Sequence, residues 1–160
     1  MTSVAHFVVP PVVKVVRVRC TQPLAFARFT RDIHLWWPLH SHSLFKGDAA
    51  HVAFEPRVGG RLVERNAGGD QRLWGSVTVW EPPSRVAFTW HVGRSPAQGQ
   101  TVEVEFTPLG CETEVRLTHS GWAALGSNAV AMRNEYDGGW DLVFVRGFCQ
   151  HANLQRGQDA

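Results

Sequence analysis

The sequence predicts a single α+β domain in which a curved, seven-stranded antiparallel sheet, joined by two short helices, holds a long C-terminal helix across its concave face. Apolar and polar residues alternate in about seven short stretches separated by turn-forming residues, as in an antiparallel sheet. Near the C-terminus, aromatic residues recur at every fourth position, as on one face of a helix. A chain of 160 residues suits one domain, here residues 1–160 with a core over residues 12–152.

The first strand is predicted over residues 12–20, where Val16 and Cys20 share one face. A helical region follows, since Pro23 suits the first turn of a helix. This region ends at Trp36-Trp37-Pro38, because the residue before a proline is disfavoured in the α conformation.

Six further strands are predicted after this helical region. They cover residues 51–55, 61–66, 72–80, 85–92, 101–107 and 112–120, and a loop over residues 40–48 precedes them. The third and fourth of these form a hairpin around Glu81-Pro82-Pro83-Ser84, since proline cannot donate a ladder hydrogen bond. Strict alternation in its first arm places Leu73, Gly75, Val77 and Val79 on one face, and Trp74, Ser76, Thr78 and Trp80 on the other.

The long C-terminal helix is predicted from about residue 129 onwards. Its stripe of Tyr136, Trp140, Phe144 and Phe148 has the i, i+4 spacing of an amphipathic helix whose aromatic face is turned inward. Residues 155–160 form a polar tail that we expect to fray. Because a highly curved sheet closes imperfectly around one helix, this architecture favours a cavity beside that helix.

Composition argues against several classes of function. The net charge is +2 and no cluster of Lys and Arg forms, so nucleic acid is not an expected partner. No stretch approaches the ~20 apolar residues of a membrane helix. The apolar start lacks a basic region and is broken by Pro10-Pro11, unlike a signal peptide. We therefore expect a cytoplasmic protein without membrane insertion.

Metal, cofactor and nucleophilic chemistry find little support in the sequence. The three cysteines, Cys20, Cys111 and Cys149, follow no metal-binding spacing and suit small buried residues in a reducing compartment. His40 and His42 lie in a loop without an acidic or Cys partner at ligand spacing, so we interpret them as incidental. No serine lies in a nucleophile motif. We expect neither a metal nor a cofactor.

Several local motifs occur together along residues 12–150. They are Phe26-Ala27-Arg28-Phe29, Trp36-Trp37-Pro38, Phe54-Glu55-Pro56, Gly59-Gly60-Arg61 with Glu64, Trp74-Gly75-Ser76-Val77, Trp80-Glu81-Pro82-Pro83, Phe88-Thr89-Trp90, Val104-Glu105-Phe106, Leu117-Thr118-His119-Ser120-Gly121-Trp122 and Gly139-Trp140. As a set they resemble the START-like, or SRPBCC, superfamily. Within it, they resemble the bacterial branch grouped with the activator of heat-shock-protein ATPase homologue family. The resemblance implies the helix-grip fold.

The resemblance implies less about activity, because the superfamily includes lipid carriers, cyclases, hydrolase-like enzymes and co-chaperone domains. The eukaryotic chaperone activators of this branch carry an additional N-terminal domain that does much of the chaperone binding. No segment of this sequence corresponds to that domain, which argues against a co-chaperone role.

Glu64 and His119 are the candidate polar residues of the cavity. Glu64 shares the parity of Leu62 and His119 that of Leu117, so both face the concave side if the leucines do. Buried ionisable groups are costly unless paired, and they cluster at functional sites. The two groups either orient a ligand, act as a catalytic acid and base, or form a structural network with each other or with Tyr136.

Aromatic and aliphatic side chains are expected to surround these two groups. The candidate ligand-binding residues are Trp36, Trp37, Leu62, Glu64, Trp74, Val77, Phe88, Trp90, Val104, Phe106, Leu117, His119, Tyr136, Trp140 and Phe144. Within this set, Trp36 and Trp37 either gate the entrance of the cavity or cap the core.

The sequence therefore favours binding of a small, largely hydrophobic or aromatic molecule by a protein that is not an enzyme. One alternative is a cyclase, dehydratase or hydrolase-like enzyme that uses Glu64 and His119 as acid and base. A second alternative is a co-chaperone-like interaction module. A monomer or a homodimer is expected.

Overall fold

The computed structural model describes residues 8–154, so the predicted polar tail at residues 155–160 lies outside the described residues. The strands are β1 (Val12–Val18), β2 (Ala49–Phe54), β3 (Arg61–Asn66), β4 (Gln71–Glu81), β5 (Arg85–Trp90), β6 (Gln100–Leu109) and β7 (Glu112–Ser120). The helices are α1 (Gln22–Thr30), α2 (Ile33–Trp36), α3 (Ala129–Trp140), a π-helical segment (Asp141–Phe148) and α4 (Cys149–Ala152). Single 3₁₀ segments occupy Lys46–Asp48, Pro96–Gln98 and Trp122–Asn128.

The seven strands form one antiparallel sheet in the order β1-β7-β6-β5-β4-β3-β2. The sheet curls into a half-barrel, and the C-terminal helical run over residues 129–152 lies in its concave side. This arrangement confirms the helix-grip fold that the sequence predicts. Within residues 8–154, no helix has the length and apolar character needed to cross a membrane.

One continuous row of buried side chains shows how pairing builds the concave face. The row crosses five strands through the directly paired residues Val77, Phe88, Val102, His119 and Val12, each at most 2% exposed. Cross-strand partners project to the same side of a sheet, so this row lies entirely on the core side. A histidine in an otherwise apolar row is therefore enclosed by the fold.

Aromatic rings fill the centre of the hollow. The ring of Phe29 on α1 is 1% exposed and packs against five other rings with centroid distances of 5.2–6.3 Å. Those rings belong to Trp36, Phe54, Phe106, Phe144 and Phe148. The middle of the half-barrel is thus a packed core.

Strand β4 departs from the alternation that the sequence predicts. Its pairing skips Trp74 opposite β3 and skips Thr78 opposite β5, which are two β-bulges. Because each bulge reverses the following parity, Trp74, Val77 and Trp80 all face inward although they are three residues apart. The prediction that Val77 faces away from both tryptophans is therefore wrong. Between the bulges, Gly75 lies so close to β5 that an added Cβ would be 1.7 Å from the Thr89 carbonyl oxygen, so this position has no room for a side chain.

The C-terminal run also differs from the single α-helix predicted, because residues Asp141–Phe148 are π-helical. In an α-helix with 3.6 residues per turn, residues four apart drift by about 40° around the axis at each step. The wider π turn reduces this drift, so Phe144 and Phe148 stay on the buried face, where their rings stack 5.4 Å apart. On the outer side, Lys14 of β1 binds Asp137 and Asp141 at 2.9 Å each and ties the helix to the sheet.

Candidate functional site

A pocket of about 210 Å³ lies between the loop after α2 and helix α3. We call residues 39–46 the pocket loop, because this segment forms one wall. Four aromatic side chains line the inner part, namely Trp37, Trp90, Tyr136 and Trp140. The remaining wall consists of Ser41, His42, Ser43, Lys46, Val92, Gly139 and Val143.

The aromatic side chains of the pocket support one another. The ring centroids of Trp37, Trp90 and Trp140 lie 5.7–5.8 Å apart in all three pairs. Behind them, Trp74 is fully buried and lies 5.0 Å from Trp37. Such tilted and edge-to-face contacts are favourable, and they fix each indole in place. The pocket therefore has a rigid, flat-sided apolar interior.

Tyr136 places a hydroxyl group in this apolar interior. Its oxygen accepts a hydrogen bond from Trp90 Nε1 at 3.0 Å, and no other described residue is bonded to the hydroxyl. Burial raises the pKa of Tyr136, so the phenol keeps its proton at neutral pH. The hydroxyl can therefore donate that proton in a hydrogen bond to an oxygen or nitrogen of a guest.

The pocket opens towards a second space of about 390 Å³. This outer space shares His42, Lys46, Tyr136 and Gly139 with the inner pocket and adds Met132 and Glu135. Lys46 is exposed, and no carboxylate of residues 8–154 lies within ion-pair distance of its ammonium group. The site thus changes from apolar inside to polar and charged at its mouth.

The carboxylate of Glu64 fastens the pocket loop to the sheet. Glu64 is fully buried on β3, and its Oε1 and Oε2 accept hydrogen bonds from the backbone N–H groups of Leu44 (2.8 Å) and Phe45 (2.9 Å). Oε1 also accepts a bond from Trp74 Nε1 at 2.8 Å. Three N–H donors replace water around the buried carboxylate, and no cationic side chain of residues 8–154 forms an ion pair with it.

Further contacts hold the pocket loop in one shape. Trp37 Nε1 donates to the carbonyl of His42 at 2.7 Å, and Ser43 Oγ accepts from the Lys46 N–H at 2.9 Å. The guanidinium of Arg72 lies 5.2 Å from the centre of the Phe45 ring. Lys46 has a φ of +52°, a left-handed conformation that non-glycine residues rarely adopt and that is often found at functional loops.

His119 belongs to a separate network under the C-terminal helix. Trp140 Nε1 can only donate, so its 3.0 Å contact makes His119 Nδ1 an acceptor. The other nitrogen, Nε2, then carries the proton and donates to Gln100 Oε1 at 3.1 Å. Gln100 donates in turn to the Gln98 carbonyl, which fixes its amide orientation. Burial lowers the pKa of His119 to about 3, so the imidazole is neutral.

The two candidate polar residues therefore have different surroundings. Glu64 is bonded to the pocket loop and Trp74, whereas His119 is bonded to Gln100 and Trp140. Both are fully buried on the concave face, but no hydrogen bond joins them. Neither side chain lines the pocket. This geometry favours the structural reading of the pair over the use of both as a catalytic acid and base.

The structure divides the predicted ligand-binding residues into two groups. Trp37, Trp90, Tyr136 and Trp140 line the pocket. The others lie in the packed core or behind the pocket wall: Trp36, Leu62, Glu64, Trp74, Val77, Phe88, Val104, Phe106, Leu117, His119 and Phe144. The adjacent tryptophans differ accordingly, since Trp36 packs on Phe29 and Phe148 whereas Trp37 forms the inner pocket wall.

Sequence reasoning missed the pocket loop and the small residues of the helix. Ser41, His42, Ser43, Lys46, Val92, Gly139 and Val143 line the pocket without having been predicted. The loop has no apolar periodicity, so its place in the fold depends on the buried Glu64 carboxylate. The one available signal was Gly138-Gly139 in a predicted helix, where glycine is unfavourable unless space is needed. Within residues 8–154, no group of three or more His, Cys, Asp or Glu side chains could hold a metal ion.

Comparison with known proteins adds the family. A family profile described as Activator of Hsp90 ATPase homolog 1-like protein matches residues 20–149. Txn09, described as an anthrahydroquino-gamma-pyrone synthase, has 33% sequence identity, with 90% of this chain and 97% of its own covered and a TM-score of 0.63. A search of curated proteins found no match.

Two more distant structures share the fold. Protein MLL2253 from Mesorhizobium loti is 21% identical, with 88% of this chain and 95% of its own covered and a TM-score of 0.64. Protein BH1534 from Bacillus halodurans is 17% identical, with coverages of 91% and 99% and a TM-score of 0.65. Together with the profile match, the order of strands and helices identifies the chain as a member of the Activator of Hsp90 ATPase homolog 1-like family of the SRPBCC superfamily.

Proposed function

We propose that this protein binds a small, flat aromatic molecule that carries oxygen substituents, with its ring system in the aromatic pocket and a polar edge at the mouth. The observation that carries the proposal is the grouping of Trp37, Trp90, Trp140 and Tyr136 around about 210 Å³ of free space. Flat walls of this kind suit offset or edge-to-face packing with a planar guest. The Tyr136 hydroxyl supplies a donor inside the apolar region.

The size of the site supports a guest that spans both spaces. Pockets for small molecules usually measure about 300–1,000 Å³. The inner pocket alone, at about 210 Å³, is smaller than this range, but it adjoins the outer space of about 390 Å³. A guest of two or three fused rings would thus reach from the tryptophans to Lys46 and His42. Acidic or phenolic substituents would meet the Lys46 ammonium there.

The similarity to Txn09 supports the same class of guest. That protein is described as an anthrahydroquino-gamma-pyrone synthase, and it is 33% identical to this chain over nearly the whole of both chains. DynU16, from the dynemicin biosynthetic locus, shares the fold at 18% identity and a TM-score of 0.61, although the match covers only 46% of its chain. A polycyclic aromatic polyketide is the guest that we infer from the Txn09 name and the pocket shape together.

Titration with 1,8-dihydroxyanthraquinone tests the proposal. Since three pocket walls are indoles, we expect saturable quenching of tryptophan fluorescence at one molecule per chain, confirmed by calorimetry. Anthraquinone-2-carboxylate should bind about tenfold more tightly than 2-(hydroxymethyl)anthraquinone, and Lys46→Met should remove that difference. Flat titrations with all three probes would refute the proposed function.

A second candidate is an enzyme that cyclises such a molecule, which the description of Txn09 favours. Among the polar residues that line the pocket, the titratable ones are Tyr136, His42 and Lys46, so they replace Glu64 and His119 as candidates for proton transfer. Incubation of an aromatic polyketide precursor with the wild-type protein and with Tyr136→Phe distinguishes the two functions. Equal binding with loss of turnover in the variant indicates an enzyme, whereas no turnover in either protein supports binding alone.

A further inference from the structure

The outer end of the β1–β7 pair brings two of the three free cysteines together. Pairing ends with Val18 opposite Thr113, and both side chains are fully buried on the concave face. Cys20 follows two residues after Val18, and Cys111 precedes Thr113 by two residues in the turn between β6 and β7. Thr113 Oγ1 donates to the Cys20 carbonyl at 2.8 Å, which holds the Cys20 backbone over the start of β7.

Both cysteines also line one small cavity of about 140 Å³. Disulfides bridge Cα separations of about 4.4–6.8 Å, a span that two residues lining one cavity of this size can close. Arg19 and Arg28 line the same cavity.

We propose that Cys20 and Cys111 form an oxidation site, at which hydrogen peroxide or an organic hydroperoxide joins the two sulfurs in an intramolecular disulfide. The site lies apart from the aromatic pocket, and none of the residues that line one cavity lines the other. The proposal is therefore independent of the proposed function.

The reaction is balanced in two steps. The Cys111 thiolate attacks one peroxide oxygen, the O–O bond breaks, and the leaving oxygen takes a proton to give water or an alcohol. The resulting sulfenic acid is then attacked by the Cys20 sulfur, its S–O bond breaks, and the oxygen leaves as water with the Cys20 proton. Two electrons pass from the thiols to the hydroperoxide.

Access and charge decide the order of these steps. Cys111 is exposed in the turn between β6 and β7, whereas Cys20 is 7% exposed. Burial raises the pKa of the Cys20 thiol, an effect that the nearby Arg28 charge partly opposes. A peroxide therefore reaches Cys111 first, and Cys20 is the resolving thiol.

Cys149 on α4 provides an internal control. Asn153 Nδ2 donates to its sulfur at 3.3 Å, while the Oδ1 of the same amide accepts from the Arg19 N–H at 2.6 Å. Cys149 is thus held near the same end of β1, but it lies on the helix and does not line the cavity that Cys20 and Cys111 share. It competes for oxidation without sharing the β1–β7 geometry.

The test treats the full chain with a small excess of hydrogen peroxide, alkylates the remaining thiols with N-ethylmaleimide and maps unreduced peptides by mass spectrometry. We expect a monomer with one N-ethylmaleimide on Cys149 and a linked pair of Cys20 and Cys111 peptides, reversed by dithiothreitol. The bond closes a long loop, so oxidation should also raise the melting temperature by several degrees.

Two variants complete the test. Cys149→Ser should form the same bond, whereas Cys111→Ser, a change in an exposed turn, should give no intramolecular bond and no shift in melting temperature. A bond from Cys149 to either other cysteine would overturn the proposal. So would a dimer linked through Cys111, or three alkylated thiols after treatment of the wild-type protein.

Discussion

His119 is kept neutral by its surroundings rather than by a charged partner. Burial lowers its pKa from 6.5 to about 3, while Trp140 and Gln100 occupy both ring nitrogens of the neutral form. Protonation would place a second proton on Nδ1, against the Trp140 N–H. The imidazole thus stabilises the contact between β7 and the C-terminal helix only while it is uncharged.

This arrangement predicts an acid-sensitive stability. Between pH 6.5 and about 3 the unfolded chain binds a proton at His119 that the folded chain does not, so stability falls as the pH is lowered through this range. The loss should reach about 2 kcal/mol at pH 5. Urea unfolding at pH 7 and pH 5 measures it, and His119→Gln should flatten the difference. His51, whose pKa is lowered by burial and by the neighbouring His34 and Arg65 charges, adds a smaller effect of the same sign. Equal pH slopes for wild type and variant would contradict the prediction.

Because the buried carboxylate of Glu64 holds the pocket loop, we predict that replacing it weakens ligand binding. In Glu64→Gln an NH2 group replaces one of the two carboxylate oxygens. This group cannot accept a hydrogen bond, so the bonds from the Leu44 and Phe45 N–H groups cannot both be kept. We expect a loss of about 1–3 kcal/mol in the free energy of unfolding. We also expect anthraquinone binding at least tenfold weaker, because the pocket loop loses its anchor.

Glu105→Gln is the matched control for this variant, since Glu105 is an exposed glutamate on β6. It should change neither the unfolding free energy nor the dissociation constant. If Glu64→Gln lowers stability but binds the probe as tightly as wild type, the loop does not depend on this carboxylate for its shape.

At the scale of elements, helix α3 contains two adjacent glycines that differ in position. A Cβ added to either one meets no atom within 4 Å. Gly139 lines the pocket, whereas Gly138 is exposed to solvent. Glycine within a helix costs about 0.5–1 kcal/mol relative to alanine. At Gly139 this loss of helix stability is accompanied by free space in the pocket, because no side chain projects into it.

Leucine at each position separates stability from binding. We expect both Gly138→Leu and Gly139→Leu to raise the free energy of unfolding by a few tenths to about 1 kcal/mol, through the gain in helix propensity. Gly139→Leu should abolish binding of 1,8-dihydroxyanthraquinone in the fluorescence titration, while Gly138→Leu should bind it like wild type. Equal affinity of the two variants would place the guest elsewhere.

Helices and strands were predictable where the pattern of apolar residues within the segment itself determines the structure. Strand β3 has the predicted bounds, Arg61–Asn66, because both of its bulges lie on the neighbouring strands and no residue of β3 itself is skipped. Alternation fails in β4, where the bulges at Trp74 and Thr78 depend on how two neighbouring strands fit. The π-helical segment is likewise a response to the core against which the i, i+4 stripe must pack.

For the whole molecule, the packed core and the pocket are separate regions under one helix. Phe144 is fully buried within the aromatic core and does not line the pocket, whereas Trp140, one turn earlier, lines it. Loss of the Phe144 ring would leave a cavity that the surrounding rings fill only in part.

Phe144→Ala should therefore lose about 3–5 kcal/mol of stability and still bind the probe. The free energy of unfolding of a small protein is only about 5–15 kcal/mol in total. The titration is therefore best done at low temperature on protein shown to be folded by circular dichroism. The result should be the converse of Gly139→Leu, which stays stable and loses binding. A parallel loss of affinity and stability in Phe144→Ala would mean that the guest enters the core.

The fold was predictable from the sequence at this scale, but most of the site was not. The order of the elements along the chain, the antiparallel sheet and the C-terminal helix follow from alternation, the aromatic stripe and the family motifs. The pocket instead forms where the loop over residues 39–46 meets α3, and sequence patterns do not encode such a long-range contact. Glu64 was correctly placed on the concave face, yet its partners are backbone N–H groups, which every sequence offers equally.

The pocket loop is attached to Glu64 through main-chain N–H groups, and this has a consequence for protein engineering. Because Glu64 accepts hydrogen bonds from the backbone amides of Leu44 and Phe45 and from no side chain there, the neighbouring positions 41 and 42 can be randomised without loss of this anchor. The scaffold should thus accept libraries of short grafted segments, each presenting a different chemistry to the same tryptophan walls.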